Sequence, residues 1–189
     1  MNKLNPTKVI TSKNVVMSYL NVNQPKAAVE GATPKYSVSL IIKKDDEFTL
    51  SRIRAAIEAA YKEGESKLKG NSKVCPPLST LKSPLRDGDV DRAGDDNYKG
   101  CYFVNANSAT KPGVVDADLN EILDSSELYS GIIGRASISF YAYNTGMSKG
   151  IACGLNNIQK IRDGEHLGGR ASASQDFGFD SEEDEEFLG

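Results

Sequence analysis

Residues 130–144 read SGIIGRASISFYAYN and residues 149–163 read KGIACGLNNIQKIRD, with the turn-forming stretch 145–148 between them. Successive side chains of a strand point to opposite faces. The first stretch therefore sends Ala136, Ile138, Phe140 and Ala142 to one face and Arg135, Ser137, Ser139, Tyr141 and Tyr143 to the other. One face is core and the other is polar and aromatic, so the two stretches read as a β-hairpin with one side on a hydrophobic interior. Upstream, residues 98–108 (YKGCYFVNANS) form a further strand, and SVSLIIKK within residues 36–44 alternates in the same way. Residues 8–22 are rich in Val, Ile, Thr and Tyr and read as a strand or a bent pair, followed by a loop from Asn21 to Pro34 that holds Pro25 and Gly31.

Between these strands the period changes. Leu50, Ile53, Ile57, Tyr61 and Leu68 fall at helical spacing over residues 48–68, with Asp45, Asp46 and Glu47 at the favourable N-terminal end and Gly70 at the other. Residues 70–97 carry Pro76, Pro77, Pro84, Gly88 and Gly94 and read as a long irregular connection, and a short helical turn is expected at 118–125. The sum is a mainly β domain with one main helix. A small closed barrel of Greek-key type is the economical way to remove its sheet edges.

The 189 residues suit one folded domain, placed at 1–170, with a disordered acidic tail at 171–189. The net charge of −3 conceals an asymmetry: residues 176–189 hold seven acids and no base, which leaves 23 bases against 19 acids in residues 1–175. A mildly basic body suits a polyanion, and an acidic segment with too little apolar surface to fold suits an interaction tail. Phe177, Phe179 and Phe187 add flat rings to that charge, the two features a single strand also offers, so the tail is expected to compete with it. Three widely separated cysteines support neither a disulfide framework nor a zinc pair, and no apolar run reaches the length of a membrane span. The N-terminus lacks the apolar stretch of a secretory signal, and the expected location is the cytoplasm.

Tyr141 and Tyr143 stand about 7 Å apart on the solvent face of their strand, a spacing that suits stacking with the bases of an extended single strand. The same rings would serve equally to cover the sheet or a dimer contact, and the strand alone does not choose. Arg135 shares their face; Tyr102, Asn105, Asn107 and Lys111 in residues 102–112 add amides and a cation for base edges and phosphates. Lys35, Tyr36 and Lys149 lie on strands or at their ends.

Other chemistries fit poorly. The run Asp87, Asp89, Asp91 imitates the start of a calcium loop, but Arg92 stands where glycine is needed and Tyr98 where glutamate is needed, so no metal is expected. The lone His166 has no triad partner pattern, and no nucleotide-binding glycine loop is present, so neither an enzyme nor a cofactor is expected. A magnesium-dependent nuclease using these acids and a structural or scaffolding role are the alternatives.

Taken together, SVSLIIKK, PLRDGD, FVNANSATKPGVVD, GRASISFYAYN and KGIACGLNNIQKIRDGE resemble phage-encoded single-stranded DNA-binding proteins of the oligonucleotide-binding (OB) barrel type. The resemblance implies an OB-like barrel and non-catalytic coating of single strands in replication or recombination, in the host cytoplasm. It points to Tyr141, Tyr143, Arg135, Tyr102, Asn105 and Lys111, then Lys35, Tyr36 and Lys149, as the binding groove. It also implies that the tail, through Asp180, Glu182, Glu183, Asp184, Glu185, Glu186 and Phe187, recruits a polymerase, helicase or recombination protein. A homodimer through the 130–162 hairpin stays open beside a DNA-crossing role. Many barrels of this type place the helix after the third strand, whereas here it follows the second.

Overall fold

The structure is a computed structural model and describes residues 5–167. Eight strands form one sheet: β1 (Lys8–Ile10), β2 (Val15–Lys26), β3 (Lys35–Lys43), β4 (Leu85–Asp87), β5 (Cys101–Ser108), β6 (Gly113–Val115), β7 (Ile133–Asn144) and β8 (Lys149–Arg162). Five of them close a ring. β2 pairs antiparallel with β3, β3 antiparallel with β5, β5 parallel with β8, β8 antiparallel with β7, and β7 antiparallel with β2. A five-stranded barrel with this order is the OB connectivity, and the closed ring leaves no long exposed edge. β1 lies outside the ring against β7, so the apolar 8–22 region is a bent pair of which only the second member belongs to the barrel. β4 and β6 are three-residue additions paired with β5 and β8.

The inward face of β7 is Ala136, Ile138, Phe140 and Ala142, all buried, and it meets Val38, Leu40 and Ile42 of β3, Val104 and Ala106 of β5, and Ile151, Cys153 and Leu155 of β8 in one core. The helical period resolves into α1 (Glu47–Glu63) and α2 (Glu65–Lys69), which break at Gly64. A methyl group at that position would overlap Ala142 Cβ, so the glycine lets the helix close onto β7. Asp46 caps α1: its carboxylate accepts from Thr49 N at 3.0 Å and from Ser12 Oγ at 2.6 Å, which ties the helix to the turn before β2. Leu50, Ile53, Ile57 and Leu68 are the buried stripe.

Three expectations change. The loop predicted from Asn21 is strand as far as Lys26, because β2 and β3 pair through two register shifts that accommodate Pro25 near the strand end. The 70–97 connection is not wholly irregular: after a 3₁₀ turn at Leu78–Thr80 it contains β4 and a one-turn helix α3 (Gly88–Asp91). The turn expected at 118–125 is a 3₁₀ turn at Ser125–Glu127. No described helix is long and apolar enough to cross a membrane.

Candidate nucleic-acid interface

The side of β3 and β5 that faces away from the core presents paired rows. Ile41 lies opposite Phe103, Ser39 opposite Asn105, Ser37 opposite Asn107, and Lys35 ends the series. The apolar end is closed and the polar end is open. An arm made of β4, α3 and the turn to Tyr98 covers Ile41 and Phe103, so Tyr98 and Phe103 pack edge to face with centroids 5.0 Å apart and are fully buried. Tyr98 also donates its hydroxyl to Ser39 Oγ at 3.0 Å, which braces the floor of the open part.

Acids of the run that imitates a calcium loop fasten this arm. Lys44 Nζ lies 2.9 Å from Asp87 and 2.8 Å from Asp89, and Asp89 accepts Gly100 N at 2.9 Å. Those donors, Lys44 first, hold the Asp89 carboxyl below the usual range, and the two carboxylates push the Lys44 ammonium up. Asp91 is paired with Arg86 at 3.2 Å. Among the described residues no group of three or more His, Cys, Asp or Glu side chains is placed to hold a metal.

Two clefts open from the polar rows, and Asn105 and Asn107 line both. One, of about 750 Å³, runs toward the β7–β8 hairpin between Lys82, Arg86, Tyr143 and Ala152. The other, of about 440 Å³, runs toward β2 between Tyr19, Asn21, Lys26, Lys35 and Arg92. Joined at the two asparagines they form one trough across the barrel, with a tyrosine toward each end and cations along its walls. Arg92 lines the second cleft, its guanidinium 5.3 Å from the ring centroids of both Tyr19 and Tyr98. Tyr19 is 55% exposed and has φ +46° at the β2 bulge, which turns its ring out of the ladder. Tyr141 is 45% exposed on the same face of β7 as Tyr143, and burial of the rest pushes its phenol up.

The structure thus brings Tyr143, Asn105 and Lys35 into the trough and places Tyr141 beside it. It does not bring the others there. Tyr102 is on the opposite face of β5 from Asn105, packed against the core with Lys44 Nζ 5.2 Å from its ring. Tyr36 shares the parity of Val38 and Leu40 and pairs with Ser108. Arg135 donates to Gln159 Oε1 at 2.6 Å at the far end of the hairpin, and Gln159 in turn holds the carbonyls of Asp116 and Ala117. Lys111 is exposed in the β5–β6 connection, and Lys149 stands opposite Asn144 at the hairpin tip. The acidic residues Asp180 to Phe187 lie outside the described residues. Sequence reading did not assign Tyr19, Lys26, Lys82, Arg86 or Arg92 to the site. PLRDGD contains Arg86, but both arginines stand among aspartates in a stretch that reads as an irregular polar connection.

A family profile described as the single-stranded DNA-binding protein of Enterobacter phage Enc34 matches residues 7–188. Putative protein p50 of Acyrthosiphon pisum secondary endosymbiont phage 1 is 26% identical over 187 residues, 95% of this chain and 98% of that protein. Among solved structures, a C-terminal truncation of the bacteriophage Enc34 single-stranded DNA-binding protein superposes with a TM-score of 0.70 at 25% identity, covering 86% of this chain and 90% of that one. The same phage protein in complex with single-stranded DNA gives a TM-score of 0.68 at 24% identity, over 87% and 91%.

Proposed function

This chain belongs to the single-stranded DNA-binding family of Enterobacter phage Enc34, a family of binding proteins and not of enzymes, and on that premise we propose that its trough holds single-stranded DNA by stacking and phosphate neutralisation. The observation that carries this reading is the meeting of two clefts at Asn105 and Asn107, which makes one path from the β7–β8 hairpin to β2. Tyr143 and Tyr19 offer ring faces toward its two ends, Tyr141 extends the first, and Lys26, Lys35, Lys82, Arg86 and Arg92 face the phosphates. Amides on the floor accept any base edge, in keeping with little sequence preference. The role is coating of strands during phage replication or recombination, in the host cytoplasm.

Replacing Tyr141 or Tyr143 by Ala should weaken binding of an oligothymidine by about 1–3 kcal/mol each, the worth of one stacked base, with no change in the melting temperature. Fluorescence titration alongside thermal melts decides it. Normal affinity in both variants would remove stacking on this strand.

The acidic tail enters the same proposal as a competitor for the trough and a recruiter of a polymerase, helicase or recombination protein. Leu167, the last described residue, lines a cleft together with Tyr19, Asn21 and Lys26, residues that also line one end of the trough. A polyanion whose first acid, Asp176, follows nine residues after Leu167 in the sequence is tethered to the body and has a high effective concentration at those cations. Truncation after Gln175 should therefore tighten oligothymidine binding at low salt, and the gain should shrink as salt screens the tail. Unchanged affinity at low salt would leave recruitment alone to the tail.

A further inference from the structure

The connection between β6 and β7 is a surface that binding in the trough does not use. Residues 112–134 hold five acids and no base, so this face repels a polyanion. Two leucines nevertheless stand out of it, Leu119 69% and Leu123 85% exposed. Leu119 is held at φ +68°, a left-handed conformation that costs a residue with a Cβ and that exposure to water does not repay. The turn is fixed from both sides. The Asp116 carboxylate accepts Asp118 N and Asn120 N at 2.9 Å each, and the buried Gln159 donates to the carbonyls of Asp116 and Ala117 at 3.2 and 3.3 Å. Arg135 holds Gln159 in turn, so it supports this ridge.

A cleft of opposite charge lies on the other side of the β7–β8 pair. β6 runs along the edge of β8 away from β7, whereas this cleft, of about 630 Å³, opens where Val16 of β2 stands opposite Ile133 of β7. Val16, Ile133 and the 53% exposed Phe48 give it apolar walls, and Lys43 and Arg162 give it exposed cations. Among the described residues neither cation is in an ion pair. Of the two acids in the cleft, Asp46 is taken up by the α1 cap. Arg52, 3.6 Å from the centroid of the Phe48 ring, adds a third cation beside it.

Ridge and cleft are both apolar and opposite in charge. A nucleic-acid strand has a direction, so copies bound side by side on it face the same way, and their contact must join two different surfaces. We propose that the Leu119 and Leu123 ridge of one copy docks in the Phe48 cleft of the next copy on the strand, which makes coating cooperative. The trough runs from the β7–β8 hairpin to β2, and the ridge and the cleft lie on those same two sides. This rests on the single-strand reading above.

The test uses the full chain with two ligands, an oligothymidine short enough to hold one copy and a polythymidine that holds many. Wild type should bind the long strand with a cooperativity factor of at least about tenfold, the low end of what burying one leucine supplies. The double variant Leu119→Asn, Leu123→Asn and the single variant Lys43→Glu should each lose that factor, and all three proteins should bind the short strand alike. Leu119→Asn alone should melt about 2–4 °C higher, because asparagine tolerates the left-handed conformation. A lower melting temperature would make the leucine a support of the fold and overturn the ridge. A non-cooperative wild type that binds the short strand normally would overturn the contact alone. So would full cooperativity in the double variant with loss in Lys43→Glu, which would give the cleft to another occupant such as the acidic tail, or an equal loss of short-strand affinity in the variants. A wild type that does not bind the short strand would overturn the underlying reading as well.

Discussion

Raising monovalent salt tenfold is expected to weaken oligothymidine binding by about three and a half orders of magnitude. Five cations line the trough: Lys26, Lys35 and Arg92 in one cleft, Lys82 and Arg86 in the other. Each neutralised phosphate of a single strand contributes about −0.7 to the slope of log affinity against log salt, so five give a slope near −3.5. Arg86 starts from a pair with Asp91 whose members are both more than a third exposed, and such a pair is weak enough to give way to a phosphate. Lys26→Gln and Arg92→Gln should each flatten the slope by about 0.7. Titrations across a salt series measure both quantities. A flat dependence would mean that the trough holds something other than a nucleic-acid backbone.

The second large effect is on stability. Phe140→Ala should cost about 3–5 kcal/mol, because the ring is 2% exposed in the centre of the barrel and its removal leaves a cavity among β-strands that cannot collapse freely. Oligothymidine affinity measured well below the melting point should stay within about twofold, since the binding face of β7 is the other one. Denaturant titration gives the first number and fluorescence titration the second. A Phe140→Ala protein that melts normally and binds poorly would mean that the faces of β7 are inverted.

Those faces were legible because a hairpin with one side on a core must alternate, and residues 134–143 alternate without interruption. The main helix was legible from its period, although the glycine at its break, Gly64, is required by close approach to Ala142, a contact 78 residues away in the chain that no local pattern reveals. β4 and β6 have three residues each, too short for a period, and they form because β5 and β8 offer edges where the ring strands diverge. In the site the signal was mixed. Tyr102 and Asn105 are an odd number of residues apart, so a straight strand cannot turn both to one face, and this much could be read from β5 alone. Tyr19 could not, because its exposure comes from a bulge with positive φ between β2 and β3. Arg86 and Arg92 sit in a segment that reads as an acidic loop, and only the fold shows it crossing Phe103, with Arg86 5.1 Å from that ring.

The most direct test of a stacking trough is one competition experiment: wild-type protein at a single low salt concentration, titrated with a single strand and with a duplex of the same sequence that has no free ends long enough to bind. Stacking needs exposed base faces, and a body with 23 bases against 19 acids in residues 1–175 is too weakly charged to hold a duplex by its backbone alone. The single strand should bind at least about tenfold more tightly, the equivalent of one stacked base. Equal affinity for the two forms would contradict the account.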